Sequence, residues 1–304
     1  MRRVAPHVCF SVAIALGVWA SSSTAQTVST FVAGLTRPCG VAGGPAGQVF
    51  VCTRAPDAKV YRYTPPSPLA TLVASGFVDP TDVKADALGN VYVADYGAGM
   101  VFQLPPSGPP VALAVIANPY GLALDNAGFL YISESLNRRV DRVLTTGGIP
   151  TIYTSVLGAP TDQLGPLFVD PAGTLYAGML TGTIFKIGPG GSPISPFATL
   201  PACTAIIPNG AGGFFAATGP NDAIDAIGAL GAPITLFAGI PGSPGHVDGS
   251  LLSAQFNGLR GMGDVGPNQD IYVAEEGNGD VRVISQLATP ARSTTWGRIQ
   301  ALYR

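Results

Sequence analysis

One sequence pattern recurs six times along the chain and limits what it can fold into. Each copy has an apolar strand, a glycine-containing turn and a second strand centred on an aromatic residue. The aromatic residues are Phe50, Tyr92, Tyr131, Tyr176, Phe215 and Tyr272, at intervals of 39 to 57 residues. Repeats of this length, with two hairpin-linked strands followed by further strands, are typical of propeller blades. We therefore predict an all-β, six-bladed β-propeller.

Each repeat continues with a third strand that alternates apolar and polar residues and a fourth apolar strand. Only five fourth strands follow the repeats, because the last repeat has none. The segment 30–35, which precedes the first repeat, has the pattern of the missing strand. We predict that the N-terminal strand completes the last blade and so removes an open sheet edge. The long last interval contains an extra loop, at about residues 240–254.

Several repeats carry more specific motifs. They are Phe237-Ala-Gly, Gly242-Ser-Pro-Gly-His-Val-Asp-Gly-Ser, Ala254-Gln-Phe-Asn-Gly-Leu-Arg-Gly, Tyr272-Val-Ala-Glu-Glu-Gly-Asn-Gly-Asp-Val-Arg-Val-Ile, Tyr92-Val-Ala-Asp and Tyr131-Ile-Ser-Glu-Ser-Leu-Asn-Arg-Arg-Val. They resemble NHL repeats, and the resemblance covers about residues 28–285. It is weaker in repeats 4 and 5, where Met179 and Thr218 replace the acidic residue after the second strand. The resemblance implies an NHL-type propeller over residues 26–285.

The two ends of the chain lie outside the repeats. Arg2 and Arg3, the apolar run 8–20 and Ser23-Thr24-Ala25 have the order of a secretory signal peptide, so we predict cleavage after Ala25 and an exported, periplasmic or extracellular protein. No other segment is apolar enough to span a membrane. Residues 286–304 form a tail that could contain a short helix, and we expect it to pack on the propeller rather than act as a sorting tag.

Charge and histidine content exclude several functions. Cleavage removes two of the 16 basic residues and none of the 18 acidic ones, which leaves a net charge of −4. An acidic chain gives no reason to expect nucleic acid as a partner. Only His246 remains in the mature chain, in the extra loop, so chemistry that needs a histidine pair or several histidine metal ligands is excluded.

Charged residues at the start of first strands and the end of second strands should meet on one face of the disc. Asp82 and Asp162 replace a glycine of the repeat, and three acids end second strands. The predicted ligand-binding face contains Asp82, Asp162, Asp95, Glu134, Glu275, Arg54, Arg138 and Arg260. Oxygen ligands of this kind suit a hard cation such as calcium. The alternative is that these acids cap backbone amides or stay solvated.

Two functions fit this pattern. The favoured one is an exported, non-enzymatic binding module that uses this face for a protein, glycan or small-molecule ligand, because no catalytic motif is present. The alternative is a calcium-dependent hydrolase, by similarity to gluconolactonase-type propellers. Their metal-binding motifs cannot be matched residue by residue in this chain, so that alternative rests on the fold.

The cysteines suggest a disulfide. Cleavage removes Cys9 and leaves Cys39, Cys52 and Cys203. If residues 44–47 form the first hairpin turn, Gly43 faces Gln48 and Cys39 faces Cys52 at a distance that a disulfide can bridge. In an oxidising compartment we predict a Cys39–Cys52 bridge and a buried, free Cys203. The alternative is a pair of buried thiols.

Overall fold

The computed structural model describes residues 26–265 and 270–285, and these residues form a six-bladed β-propeller. The predicted fold is therefore confirmed. The predicted signal peptide, residues 1–25, and the predicted tail, residues 286–304, lie outside the described residues. Within the described part of the chain, no helix has the length and apolar character needed to cross a membrane.

Each blade is an antiparallel sheet whose strands follow one another from the channel outward. The first three blades contain β2 (Pro38–Gly43), β3 (Val49–Thr53), β4 (Lys59–Thr64) and β5 (Ser67–Ser75); β6 (Pro80–Ala85), β7 (Val91–Asp95), β8 (Met100–Leu104) and β9 (Val111–Val115); and β10 (Pro119–Leu124), β11 (Phe129–Glu134), β12 (Arg139–Leu144) and β13 (Thr151–Ile152).

The other three blades repeat this order. They contain β14 (Leu164–Val169), β15 (Leu175–Met179), β16 (Thr183–Ile187) and β17 (Ile194–Thr199); β18 (Ala205–Pro208), β19 (Phe214–Thr218), β20 (Ala223–Ile227) and β21 (Ile234–Gly239); and β23 (Leu259–Val265), β24 (Asp270–Glu275) and β25 (Asp280–Ile284) with β1 (Thr27–Val32). A short strand, β22 (Gly249–Ser250), pairs with the outer side of β1, and two 3-10 turns cover Pro45–Gly47 and Gly219–Asn221.

The N-terminal strand closes the ring, as the sequence predicts. β1 pairs antiparallel with β25 in the sixth blade. Val28 is buried in the core of that blade, and the Phe31 ring lies edge-on to Tyr272 and to Tyr63 of the first blade, with centroid distances of 5.0 and 5.6 Å. The His246 ring contacts both paired strands, since its Nε2 lies 3.1 Å from Thr30 Oγ1 in β1 and 2.9 Å from Asp280 Oδ2 in β25. The closing strand therefore joins the sixth blade to the first.

The repeated aromatic residues occupy one register position in the second strands. Tyr92 and Tyr131, for example, pair with Lys84 and Ala123 of the first strands. Five of the six rings are buried, in the apolar layers between blades. Each large ring fills the wedge between adjacent twisted sheets, which explains why the repeat conserves a bulky residue at this point.

Aspartate fixes the turn between the first and second strands. Asp125 Oδ1 accepts the N–H groups of Ala127 and Phe129 at 2.9 and 2.8 Å, and the Tyr131 hydroxyl donates to Oδ2 at 3.1 Å. Equivalent turns in other blades use Asp86, Asp170 and Asn209. Three of the 18 acidic residues therefore serve local turn geometry.

Candidate ligand-binding site

The six first strands surround a central channel, and all of them begin on the same side of the disc, which we call the upper face. At this face the channel contains a cavity of about 30 Å³, and every blade contributes to its lining. We call this cavity the channel mouth. Its polar side chains are Arg54, Thr81, Asp82, Lys84, Tyr120, Thr204 and Arg260.

Close packing of the first strands explains the glycines at their start. A Cβ atom on Gly121 would lie 2.4 Å from the Gly165 carbonyl oxygen, and one on Gly261 would lie 2.0 Å from the Cys39 carbonyl oxygen. Gly40 is equally restricted, because its Cβ would lie 2.7 Å from the Cα of Asp82. At these three positions the neighbouring strand approaches so closely that only glycine fits.

Asp82 replaces this glycine in the second blade, and its side chain lines the channel mouth as predicted. Its Oδ2 accepts the N–H of Leu122 in the third blade at 2.9 Å, and Lys84 Nζ lies 3.0 and 3.1 Å from its two oxygens. The carboxylate is therefore neutralised by its own strand and joins two neighbouring blades. It is not a free anion that faces a ligand.

Three arginines and two acids form two neighbouring groups of ion pairs at the blade boundaries on either side of the first blade. Arg260 and Arg37 both pair with Glu276, and Arg54 pairs with Asp79 through Nε and Nη2. These residues belong to the sixth, first and second blades, so the ion pairs cross both blade boundaries. We call this group of five residues the charged arc, and its net charge is +1.

The arginines hold both acids of the charged arc in the ionised form. Burial by itself raises the pKa of Glu276, but Arg260 and Arg37 outweigh this effect and keep the pKa below its ordinary value. Burial also raises the pKa of Asp79, and the hydrogen bond from Arg54 outweighs it in the same way. The arc therefore keeps its charges at neutral pH.

Tyr120 brings a hydroxyl group to the channel mouth from the third blade. Burial raises the pKa of this hydroxyl, and the nearby positive charges of Arg260 and Arg54 oppose the increase without cancelling it. At neutral pH the group is therefore protonated and can donate a hydrogen bond between the two guanidinium groups.

The opposite end of the channel is apolar. A cavity of about 340 Å³ opens on the lower face, and its walls include Leu124, Phe168, Val169, Ile207 and Pro208. The two cavities share four lining residues, Lys84, Leu167, Ile206 and Met262. The channel therefore changes from polar to apolar at the level of these four residues.

The three acids that end second strands are buried and hold loops. Asp95 accepts the N–H groups of Val78 and Asp79 at 2.8 Å each, and Glu275 accepts the N–H of Asn257 at 2.8 Å and pairs with Arg282 at 3.1 Å. Glu134 pairs with Arg139 inside its own blade. These partners occupy the carboxylates, so the acids do not suit a calcium site.

No three His, Cys, Asp or Glu side chains are grouped to hold a metal ion among residues 26–265 and 270–285.

Asp162 and Arg138 lie away from the channel mouth. Asp162 belongs to the loop before β14 and accepts a hydrogen bond from the Thr181 hydroxyl, and Arg138 donates to the Ala159 carbonyl in the same loop at 2.8 Å. The β14–β15 register places Pro166, not Asp162, at the position of Asp82. The alignment of Asp162 with the repeat glycine is therefore wrong by four residues.

Four polar residues of the mouth were missed from the sequence: Thr81, Lys84, Tyr120 and Thr204. A usable signal was present, because Cys39, Thr81, Tyr120 and Arg260 all directly precede the aligned glycine or Asp82, and all four line the mouth. Lys84 had a weaker signal, as a charged residue within a first strand.

The predicted cysteine pair lies at the wall of the mouth. The hairpin register differs from the prediction, since Gly43 pairs with Val49 rather than Gln48, but a bulge between Pro38 and Val41 brings the cysteines back together. Their Sγ atoms lie 2.9 Å apart and both residues are thiols in this structure, so the disulfide stays a prediction. Burial raises the pKa of the Cys39 thiol, and the Cys52 sulfur raises it further.

These thiols have counterparts in the next blades. The Cys52 sulfur accepts the N–H of Gly40 at 3.1 Å, as the Ser133 hydroxyl accepts the N–H of Gly121 at 2.7 Å. Ser133 also donates to the Gly165 carbonyl of the fourth blade at 2.8 Å. The strand bulge leaves these backbone groups without a sheet partner, and in these two blades a small polar side chain takes its place.

The architecture is shared with solved structures. No family model and no curated protein matches the sequence. The chain is similar to a structural-genomics protein of unknown function from Bacteroides thetaiotaomicron, with 18% identity, a TM-score of 0.74, and coverage of 86% of this chain and 76% of that one.

An auxiliary nutrient binding protein from the same organism has 14% identity and a TM-score of 0.68, and the match covers 86% of this chain and 76% of that one. A virginiamycin B lyase from Staphylococcus aureus has 15% identity and a TM-score of 0.64, with coverage of 86% and 98%. At these identities the similarity shows the six-bladed propeller fold alone.

Proposed function

We propose that this protein is an exported, non-enzymatic binding protein of the NHL-repeat type, which holds its ligand at the channel mouth. One observation carries the proposal: all six blades contribute to a single cavity, and its cationic and hydroxyl side chains converge on one face. Ligand sites generally combine such a concave surface with a few fixed polar groups. The ligand is a small molecule, a glycan or a segment of a protein partner.

The state of the polar groups favours binding over catalysis. Asp82 is neutralised by Lys84, and Arg54 and Arg260 are oriented by Asp79 and Glu276. Guanidinium groups fixed in this way are preorganised hydrogen-bond donors. The only histidine of the mature chain, His246, contacts Thr30 of the closing strand and Asp280 of β25, away from the channel mouth. This chain shares its fold with an auxiliary nutrient binding protein, which also favours a binding function.

A ligand screen tests the proposal. Residues 26–304 are screened by thermal shift against sugars, glycans, peptides and small organic molecules, and each hit is titrated by calorimetry. The double variant Arg54→Met/Arg260→Met should weaken the hits at least about tenfold, because two charge-assisted donors are lost. The matched control, Arg62→Met, changes an arginine that does not line the mouth.

Two results decide the outcome. If the hits bind the double variant and the parent equally well, the channel mouth is not the binding site. Export is tested separately, by N-terminal sequencing of the protein recovered outside the cytoplasm. The proposal requires the mature chain to begin at Gln26, and a chain that retains residues 1–25 contradicts it.

A further inference from the structure

The positive charge at the channel mouth is not balanced within the cavity. Arg54, Lys84 and Arg260 line it, and Asp82, which Lys84 neutralises, is the acid among its lining residues. The partner acids of the two arginines, Asp79 and Glu276, are not part of this lining. The cavity therefore presents two guanidinium groups whose counter-charges lie outside it.

Each arginine keeps donors for a ligand. Arg54 engages Asp79 through Nε and Nη2, and Arg260 engages Glu276 through Nε. The remaining Nη groups, together with the Tyr120 hydroxyl, supply N–H and O–H donors from three different blades. Arg37 shares Glu276 with Arg260, so one carboxylate serves two guanidinium groups. One singly charged anion would balance the arc.

A second cavity adjoins the mouth on the upper face. Its volume is about 530 Å³, and Arg260 and Thr204 line both cavities. Glu276, which Arg260 and Arg37 neutralise, lines one side of it, and the rest of its wall is uncharged and includes Leu180, Pro220 and Leu259. We call this cavity the neighbouring depression. It offers room for an uncharged group attached to the anion.

We propose that the channel mouth recognises the carboxylate of an organic acid, whose uncharged body lies in the neighbouring depression. Arg260 is the central residue, because it touches both cavities. The carboxylate accepts hydrogen bonds from Arg260, Arg54 and the Tyr120 hydroxyl. This proposal rests on the proposed function, since it assumes that ligand binds at the mouth.

Matched pairs of probes test the charge requirement. Residues 26–304 are titrated by calorimetry with methyl glucuronide and methyl glucoside, and with N-acetyl-alanyl-alanine and its C-terminal amide. In each pair the shape is nearly constant and the carboxylate is lost, and the two pairs separate a sugar acid from a peptide terminus as the source. Inorganic phosphate serves as an anion that has no attached uncharged group.

We expect at least one carboxylate probe to bind about tenfold or more tightly than its neutral partner. Arg260→Met should remove this difference, Tyr120→Phe should reduce it while leaving the fold intact, and Arg62→Met should preserve it. Affinity should also fall as salt is raised, because the contact is ionic. Thermal unfolding of each variant confirms that it is folded.

Three results overturn the proposal: no measurable binding of any carboxylate, equal affinity within each pair, or an unchanged preference in Arg260→Met. Tighter binding of phosphate than of every carboxylate overturns it as well. Failure of the proposed function is a different result. In that case every ligand from the wider screen, whatever its chemistry, would bind the mouth variants and the parent with equal affinity. If uncharged ligands bind the parent but not Arg54→Met/Arg260→Met, the carboxylate proposal is wrong and the channel mouth is still the binding site.

Discussion

Replacing Arg282 with methionine should destabilise the sixth blade strongly. The Arg282 side chain is fully buried, and its Nη1 lies 3.1 Å from Glu275 Oε2, which is also fully buried. It also donates to the carbonyls of Gln255 and Val247 at 3.1 and 3.0 Å, so it fixes the extra loop to β25. Methionine has a similar length and keeps the packing but removes every one of these donors.

The magnitude follows from the charge that is left behind. Removing one partner of a buried ion pair costs about 3–5 kcal/mol, because the other charge stays desolvated. Asp248, the third partner, is half exposed and adds little. For a domain of this size the loss corresponds to a decrease in Tm of roughly 10 °C. The double variant Arg282→Met/Glu275→Gln should recover part of it.

The effect should depend on pH in one direction. Burial raises the pKa of Glu275, and Arg282 limits the increase. Without Arg282 the native pKa rises further above the unfolded value of about 4.3. The native state then binds a proton more tightly than the unfolded chain, so stability relative to the parent falls as pH rises through the native pKa. The deficit should be smallest near pH 4 and largest near pH 7.

Urea and thermal unfolding, followed by circular dichroism at several pH values, check this prediction. Arg62→Met in the first blade is the matched control and should change Tm by less than about 2 °C, as is usual for substitutions outside buried networks. A Tm for Arg282→Met within about 2 °C of the parent would refute the reasoning. A deficit that is the same at pH 4 and pH 7 would refute the assignment to Glu275.

Three further predictions concern the closure, the cysteines and the blade seams. Deleting residues 27–35 should abolish cooperative unfolding, whereas deleting residues 290–304 should affect unfolding much less. Equal behaviour of the two truncated proteins in thermal scans would contradict closure by the N-terminal strand. Peptide mapping under non-reducing conditions should find Cys39 linked to Cys52 in the exported protein, and alkylation of both would exclude the bridge. Ser133→Ala should lower the free energy of unfolding by about 1–3 kcal/mol, measured with urea, because it leaves a buried N–H and C=O unpaired.

The fold could be predicted because the same sequence pattern occurs six times and each copy indicates one blade. One aromatic residue per second strand fixes the blade count, and the missing fourth strand identifies the closing segment. Each of these signals is local and depends on the regular alternation of a half-buried strand. An error in one repeat is therefore compensated by the others.

The site was harder to predict because it depends on single-residue register. The turn after the first strand is one residue longer than predicted, which is why Gly43 faces Val49 rather than Gln48, and the bulge between Pro38 and Val41 then shifts the pairing back by one residue. In the fourth blade the equivalent residue is Pro166, and no glycine marks it, so Asp162 was aligned in its place. The ion pair between Asp82 and Lys84 depends on side-chain geometry, which the alternation of apolar and polar residues along a strand does not predict.

The location of the ligand is the central claim, and hydrogen–deuterium exchange of the mature protein with and without the tightest ligand from the screen tests it most directly. Binding at the channel mouth predicts protection at the starts of the first strands, in residues 37–40, 80–82, 119–121 and 258–261. The hairpin turns of the lower face, such as residues 86–90 and 125–129, should exchange at the same rate in both samples. Protection confined to those lower turns would contradict the account.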